Sequence, residues 1–263
     1  MPLNIKPSNF KYLILGAGGL GIALRALLYA TGTDVRGLLI RGHWAEIGLW
    51  LVTAATILGI FLLTRPVTGP RDYEKVFPKS PSAALGCLAA AAGILLNIRL
   101  VPGGTMLEML EPALAGIAAV SMVALAICRF TGRKPMFLFH CFLCVYLAVR
   151  MVGQYRQWSA IPQLQDYVFY LGAHVALMLT AYQQAAFDGG MGNHRLLWAW
   201  SLGSVYLCCL SLVGEGQKLL PLCFGIWAYT NLSRLRSRHR EEYSLQPEET
   251  ADDASEGDAD VSA

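Results

Sequence analysis

The chain has 263 residues, of which 55% are hydrophobic and 15% charged, with a formal net charge of +3. An ordinary soluble domain carries about 25% charged residues. The shortfall, with a mean hydropathy of +0.44, excludes a water-surrounded globular fold as the main architecture and places most of the chain in lipid.

The first apolar run covers about residues 11–31 and includes "YLILGAGGLGIALRALLYATGTD" (12–34). Gly16, Gly18 and Gly21 match G-x-G-x-x-G, the phosphate-binding turn of a βαβ dinucleotide domain. That turn needs a strand before it, a helix after it and an acidic residue ending the next strand. Asp34 stands near the expected offset but precedes "VRGLLIRGH", and another apolar run follows, "WAEIGLWLVTAATILGIFLL". A single lipid-crossing helix is therefore expected, with no nucleotide cofactor. Ala17 and Gly21 form a small-xxx-small pair that permits close helix approach. Arg25 interrupts the run and no A-x-A site follows, so the segment is expected as an uncleaved first span.

Further apolar runs lie at about 44–64, 83–100, 107–128, 135–155, 163–187, 196–213 and 217–233. A helical crossing needs about 20 residues, and backbone groups in hydrocarbon must be satisfied within the segment. The expected fold is all-α, a polytopic transmembrane helix bundle of about eight spans. The third and eighth are short, which leaves seven as the alternative. Counting Lys and Arg, an N-terminus in the cytoplasm puts 14 basic residues in inner segments and 5 in outer loops. By the positive-inside rule both termini are cytoplasmic.

Division near residue 132 gives two halves, 1–132 and 133–233, of four spans each. Their outer loops correspond ("TGTDVRGLLIRGH" and "RQWSAIP"), as do their tight turns "VPGGT" and "VGEGQ". This layout suggests a 4+4 parallel internal repeat. Residues 234–263 begin with the basic "RLRSRHR" and end in an acidic stretch holding nine of the 18 acidic residues. Such a segment buries too little surface to order itself.

Arg25 and Arg150 each fall about six residues below the outer end of a span. A guanidinium at that depth either snorkels to the headgroups or faces a polar cavity, where it pairs with an acid or an anionic ligand. Glu46 and Asp166, on the same outer side, are the nearest acids. The stretch "YRQWSAIPQLQDYVFYLGAH" (155–174) holds Tyr155, Asp166 and His174. It is either an interfacial aromatic belt or the rim of an outward-facing pocket. His174 falls near the midplane, where it serves as a proton relay or as a neutral hydrogen-bonded imidazole. Glu108 and Glu111 open the fourth span and are expected to cap it. The seven cysteines lie in apolar runs and are read as small hydrophobes, Cys141 and Cys144 included. No metal centre is expected: His43 with Asp34 is two residues, not a site.

The segments 24–43, 155–174 and "AYQQAAFDGGMGNHR" (181–195) resemble bacterial polytopic membrane proteins that have no assigned activity. The resemblance implies the bacterial cytoplasmic (inner) membrane and carries no functional residue. The expected function is a small permease or ligand-binding membrane protein. Its outward cavity would hold Arg25, Arg150, Glu46, Asp166, Tyr155 and His174, and an anionic solute would suit the arginines. The alternative is a sensor or scaffold that docks partners through the C-terminal tail. The bilayer is the expected surrounding, and no nucleic-acid partner is expected.

Overall fold

A computed structural model describes residues 9–33, 39–40, 42–70, 73–98, 106–159, 167–214, 217–233, 235 and 238–239. The side chains of residues 106–108 and 238–239 are not described. The protein is all-helical. Its long elements are α1 (Phe10–Thr31), α2 (Trp44–Thr64), α4 (Pro81–Leu96), α5 (Met106–Thr131), α6 (Phe137–Trp158), α7 (Val168–Asp188), α8 (His194–Ser211) and α9 (Leu219–Leu232). The short helix α3 (Tyr73–Val76) and a two-residue antiparallel ladder, β1 (Val67–Thr68) with β2 (Arg238–His239), lie outside them. The glycine motif of the first run is thus the interior of one continuous helix, not a strand–turn–helix.

Among the described residues, four helices are long and apolar enough to cross a membrane: α1, α2, α5 over Met109–Thr131, and α6. Both α4 and α9 are apolar but shorter, with 16 and 14 residues, or about 24 and 21 Å at 1.5 Å per residue. Ser80 caps α4 at its start, its hydroxyl accepting from Ala83 N at 3.3 Å, and Asn97 closes it by donating to Gly93 O at 2.8 Å. These caps explain why α4 ends four residues before the apolar run does. The polar groups His174, Gln183 and Gln184 on α7 face inward and are buried.

Packing follows a closed cycle: α4 on α5, α5 on α6, α6 on α7, α7 on α8, α8 on α9, and α9 back on α4. The α1–α2 pair docks on the outside of α8. Successive long helices run in opposite directions. The end of α5 meets the end of α9 through Arg129 and Asn231, and Phe10 at the start of α1 packs edge-on against Trp198 near the start of α8. The start of α1 and the end of α9 therefore share one end of the bundle.

Close approach is made by small residues. On α4 the buried face is Ala83, Ala84, Gly86, Cys87, Ala90, Ala91 and Gly93. A Cβ on Gly93 would sit 2.6 Å from Cys223 Cβ, and one on Gly86 would collide with Thr230, both on α9. On α1 it is Gly18 and Gly21 that meet α8, at Cys209 and Leu210, with Ala17 half-buried beside them. Large apolar side chains point outward instead, among them Leu51, Leu58, Phe61 and Leu62 of α2, Val120 and Ile127 of α5, and Leu96 at 72% exposure. So extensive an apolar exterior belongs in lipid rather than water. This is a membrane protein.

Gly93→Val should lower stability by about 1–3 kcal/mol through overpacking, whereas Gly16→Val, with nothing within 4 Å, should change it little. Thermal unfolding of both variants in detergent checks this.

Candidate functional site

The buried face of α6 carries His140, Leu143, Tyr146, Leu147, Arg150 and Gln154, spaced to project from one side of the helix. Ten residues separate His140 from Arg150, about 15 Å of axial rise. One helix thus places a polar centre at each end of the ring, with Leu143 and Leu147 between them.

At the first centre Arg150, 2% exposed, donates from Nη1 to Glu111 Oε1 of α5 at 2.5 Å and from Nη2 to Gln217 Oε1, just before α9. Glu111 keeps a quarter of its side chain exposed. From α7, Tyr170 and His174 complete the centre, their rings 4.5 Å apart. His174 Nδ1 lies 2.9 Å from Tyr170 O. A carbonyl oxygen only accepts, so the proton is on Nδ1 and Nε2 presents a lone pair. That Nε2 is buried with no hydrogen-bond partner among the described residues, whereas the buried hydroxyls of Tyr146 and Tyr170 turn to the Arg150 side chain. Both phenols lie within electrostatic reach of the guanidinium. The centre combines a fixed cation, two phenols and a basic lone pair. It can bind an acceptor-rich group next to a hydrogen-bond donor.

Arg25 does not join it. Its Nη1 donates to Leu210 O at 2.6 Å in the last turn of α8, and its guanidinium lies over Phe169 at 5.0 Å and Tyr29 at 5.9 Å. A cation there satisfies a terminal carbonyl and the negative end of the helix dipole. Gly214, at φ +114°, makes room: a Cβ would fall 2.7 Å from Tyr29 Oη and 3.0 Å from Arg25 Nη2. Arg25 and Arg150 thus flank the start of α7 through Phe169 and Tyr170, with no shared partner among the described hydrogen bonds. Glu46 accepts from Gly42 N at 2.8 Å and caps α2. Tyr155 is 50% exposed on the exterior, and Asp166 lies outside the described residues.

At the opposite end His140 contacts Asp188 Oδ2 at 2.7 Å and Gln184 Oε1 at 3.1 Å, both of α7. Arg129 of α5 donates to Asn231 Oδ1 of α9 at 2.6 Å and stacks over Phe77 at 4.1 Å and Tyr73 at 5.6 Å. The segment around α3 closes this end with a small apolar cluster of Tyr73, Val76, Phe77, Phe187 and Leu197. Burial pushes the Tyr73 phenol above the ordinary tyrosine range, only partly offset by Arg129. His194 Nε2 donates to Pro70 O at 2.6 Å and fixes the segment to the start of α8.

No family model matches this sequence, and no curated protein or solved structure matches it. The chemistry of the two centres must therefore be argued from their geometry.

Sequence reasoning missed Glu111 as the partner of Arg150 and assigned it to capping. It also missed Gln217 and Tyr146 and, at the opposite end, the pairing of His140 with Asp188 and of Arg129 with Asn231. Their sequence signal was slight: charged or amide residues at the margins of apolar runs, with partners 39 to 102 positions away.

Glu111→Gln should cost about 3 kcal/mol, the low end for breaking a buried ion pair because Glu111 is partly exposed. Combining it with Arg150→Met should cost less than the sum of the single changes. Chemical unfolding in detergent, run as a double-mutant cycle, measures both.

Proposed function

We propose that this chain is a multi-pass protein of the bacterial cytoplasmic membrane that binds, and as a small permease passes, a carboxylate solute at the Arg150 centre. The observation that carries this is the buried Arg150–Glu111 pair set beside two buried phenols on the guanidinium, Tyr146 and Tyr170, and a buried lone pair, His174 Nε2, that has no hydrogen-bond partner among the described residues. Buried polar groups in native proteins are almost always satisfied. A buried acceptor without a partner, next to a fixed cation and two phenols, supports a place for a ligand. The N–H at Arg150 Nε and the two hydroxyls suit a carboxylate, and the lone pair at His174 Nε2 suits an adjacent hydroxyl or protonated amine. A 2-hydroxy or 2-amino acid carries both.

All eight long helices cross the bilayer in this reading, in keeping with their alternating directions. The end that holds the start of α1 also holds Lys11, Arg65, Lys75, Lys79, Arg133, Lys134 and Arg195, and lies in the cytoplasm by the positive-inside rule. The Arg150 centre then faces outward. It draws Glu111 from the first four-span half and its other members from the second, so relative movement of the halves would open it. Arg25 fixes α1 to α8 in this reading.

Purified protein in nanodiscs, screened by thermal shift against 2-hydroxy and 2-amino acids, should be stabilised by about 2.7 kcal/mol at a hundred times the Kd of a true ligand. The same acid should enter proteoliposomes. Arg150→Lys should weaken binding by about tenfold or more, because an ammonium cannot reproduce the fork, and Tyr155→Ala should leave it intact. Absence of any stabilising acid, or a tight-binding Arg150→Lys, sinks the proposal.

A further inference from the structure

We propose that His140, Asp188 and Gln184 form a proton-binding centre at the end of the bundle opposite Arg150, taking up and releasing one proton as a unit. Both hydrogen-bond partners of His140 are oxygens: Asp188 Oδ2 at Nδ1 and Gln184 Oε1 at Nε2. A carboxylate and an amide oxygen accept only. With the Gln184 amide in this orientation both ring nitrogens donate, which an imidazole can do only with a second proton. Placing that proton on Asp188 instead, with Nδ1 accepting it, leaves the count unchanged. In this orientation the triad carries one proton more than its neutral-histidine, ionised-carboxylate form.

The geometry also provides for the state without it. When the proton leaves for water, Nδ1–H stays on Asp188 and Nε2 is left with a lone pair facing the Gln184 oxygen. Rotating the amide by half a turn replaces that oxygen with an N–H₂ donor. The amide nitrogen of Gln184 is buried with no hydrogen-bond partner among the described residues, so the rotation breaks no existing bond there. Asp188 Oδ1 is likewise buried and unpartnered among them. Two arrangements that each hydrogen-bond both ring nitrogens of His140 thus differ by one proton and one amide turn.

The titratable and charged groups around the triad come from α3, α4, α5, α6 and α8. From α5, Arg129 supplies a fixed positive charge, already engaged with Asn231 of α9 and the faces of Phe77 and Tyr73. Cys128 on the same helix lies within electrostatic reach of Asp188, Arg129 and Arg133. On α6 Cys141 feels Asp188. Tyr73 of α3 feels both Arg129 and Asp188, with Cys87 of α4 beside it. From α8 His194 packs against Phe187 and is held by Pro70 O. None of this depends on solute binding at the Arg150 centre.

The test uses the full chain in nanodiscs with isotope-labelled histidine, aspartate and glutamine, and no solute. Nitrogen NMR identifies His140 by its through-space signal to the Asp188 carboxyl carbon. The expected result is a His140 with both nitrogens protonated at the acid end of a titration from about pH 5 to 9. It should lose one proton in a single step, together with a shift of the Gln184 amide signal. Gln184→Met, close in shape, should move the midpoint by at least one pH unit, and Asp188→Asn should leave His140 with one N–H throughout. A His140 locked in one state across the range, whether charged or neutral, overturns the proposal, as does an unchanged midpoint in Gln184→Met. The wild-type titration decides the matter even if Asp188→Asn does not fold.

Discussion

A guanidinium cannot shed its charge at any accessible pH, and in hydrocarbon it has no water to donate to. Wherever this chain buries an arginine, the chain itself must supply oxygen atoms and ring faces around it. Arg25 of α1 finds the carbonyl end of α8, Arg129 of α5 finds an amide on α9, and Arg150 of α6 finds a carboxylate on α5 and an amide before α9. Each is a join between two helices. An arginine near a bilayer centre is costed at roughly 2.5–3.5 kcal/mol on insertion scales, so misplacing any one of these neighbours would be expensive. The arginines specify helix adjacency as much as they stabilise it.

Apolar attraction could not specify it alone, because lipid tails offer a leucine much the same environment as another helix does. What remains is shape. The glycine and alanine face of α4 lets α9 approach to backbone distance, and Gly18 with Gly21 does the same for α1 on α8. Within the ring, Leu143 and Leu147 are fully buried between the two polar ends of α6. This apolar layer keeps a charge at one end from reaching the other without movement of the helices.

Local features were legible in the residues, and non-local ones were not. The run at about 44–64 became α2 with those limits, and the run at about 11–31 became α1 within one residue, because hydropathy acts over a single helix. Glu46, expected to line a polar cavity, instead caps α2, as a carboxylate in a first turn can. Glu111 carried the same signal, yet it lies further into its helix and turns toward Arg150. That choice depends on the rotation of α5 against α6, which no window of sequence encodes. The α3 cap was missed for a similar reason: Tyr73, Val76 and Phe77 form no long apolar run, and they are buried only because Phe187 and Leu197 stand over them.

The six-helix ring closes between its first and last members, α4 and α9. During synthesis α4 emerges well over a hundred residues before the helix that covers it. Until α9 has left the ribosome, the bare small-residue flank of α4 and the unsatisfied guanidinium of Arg129 must wait, shielded by lipid or by an insertion factor. Such a chain gains its last and most distant contacts together, and an early stop would leave a nascent intermediate with an open seam, prone to capture by any other helix nearby.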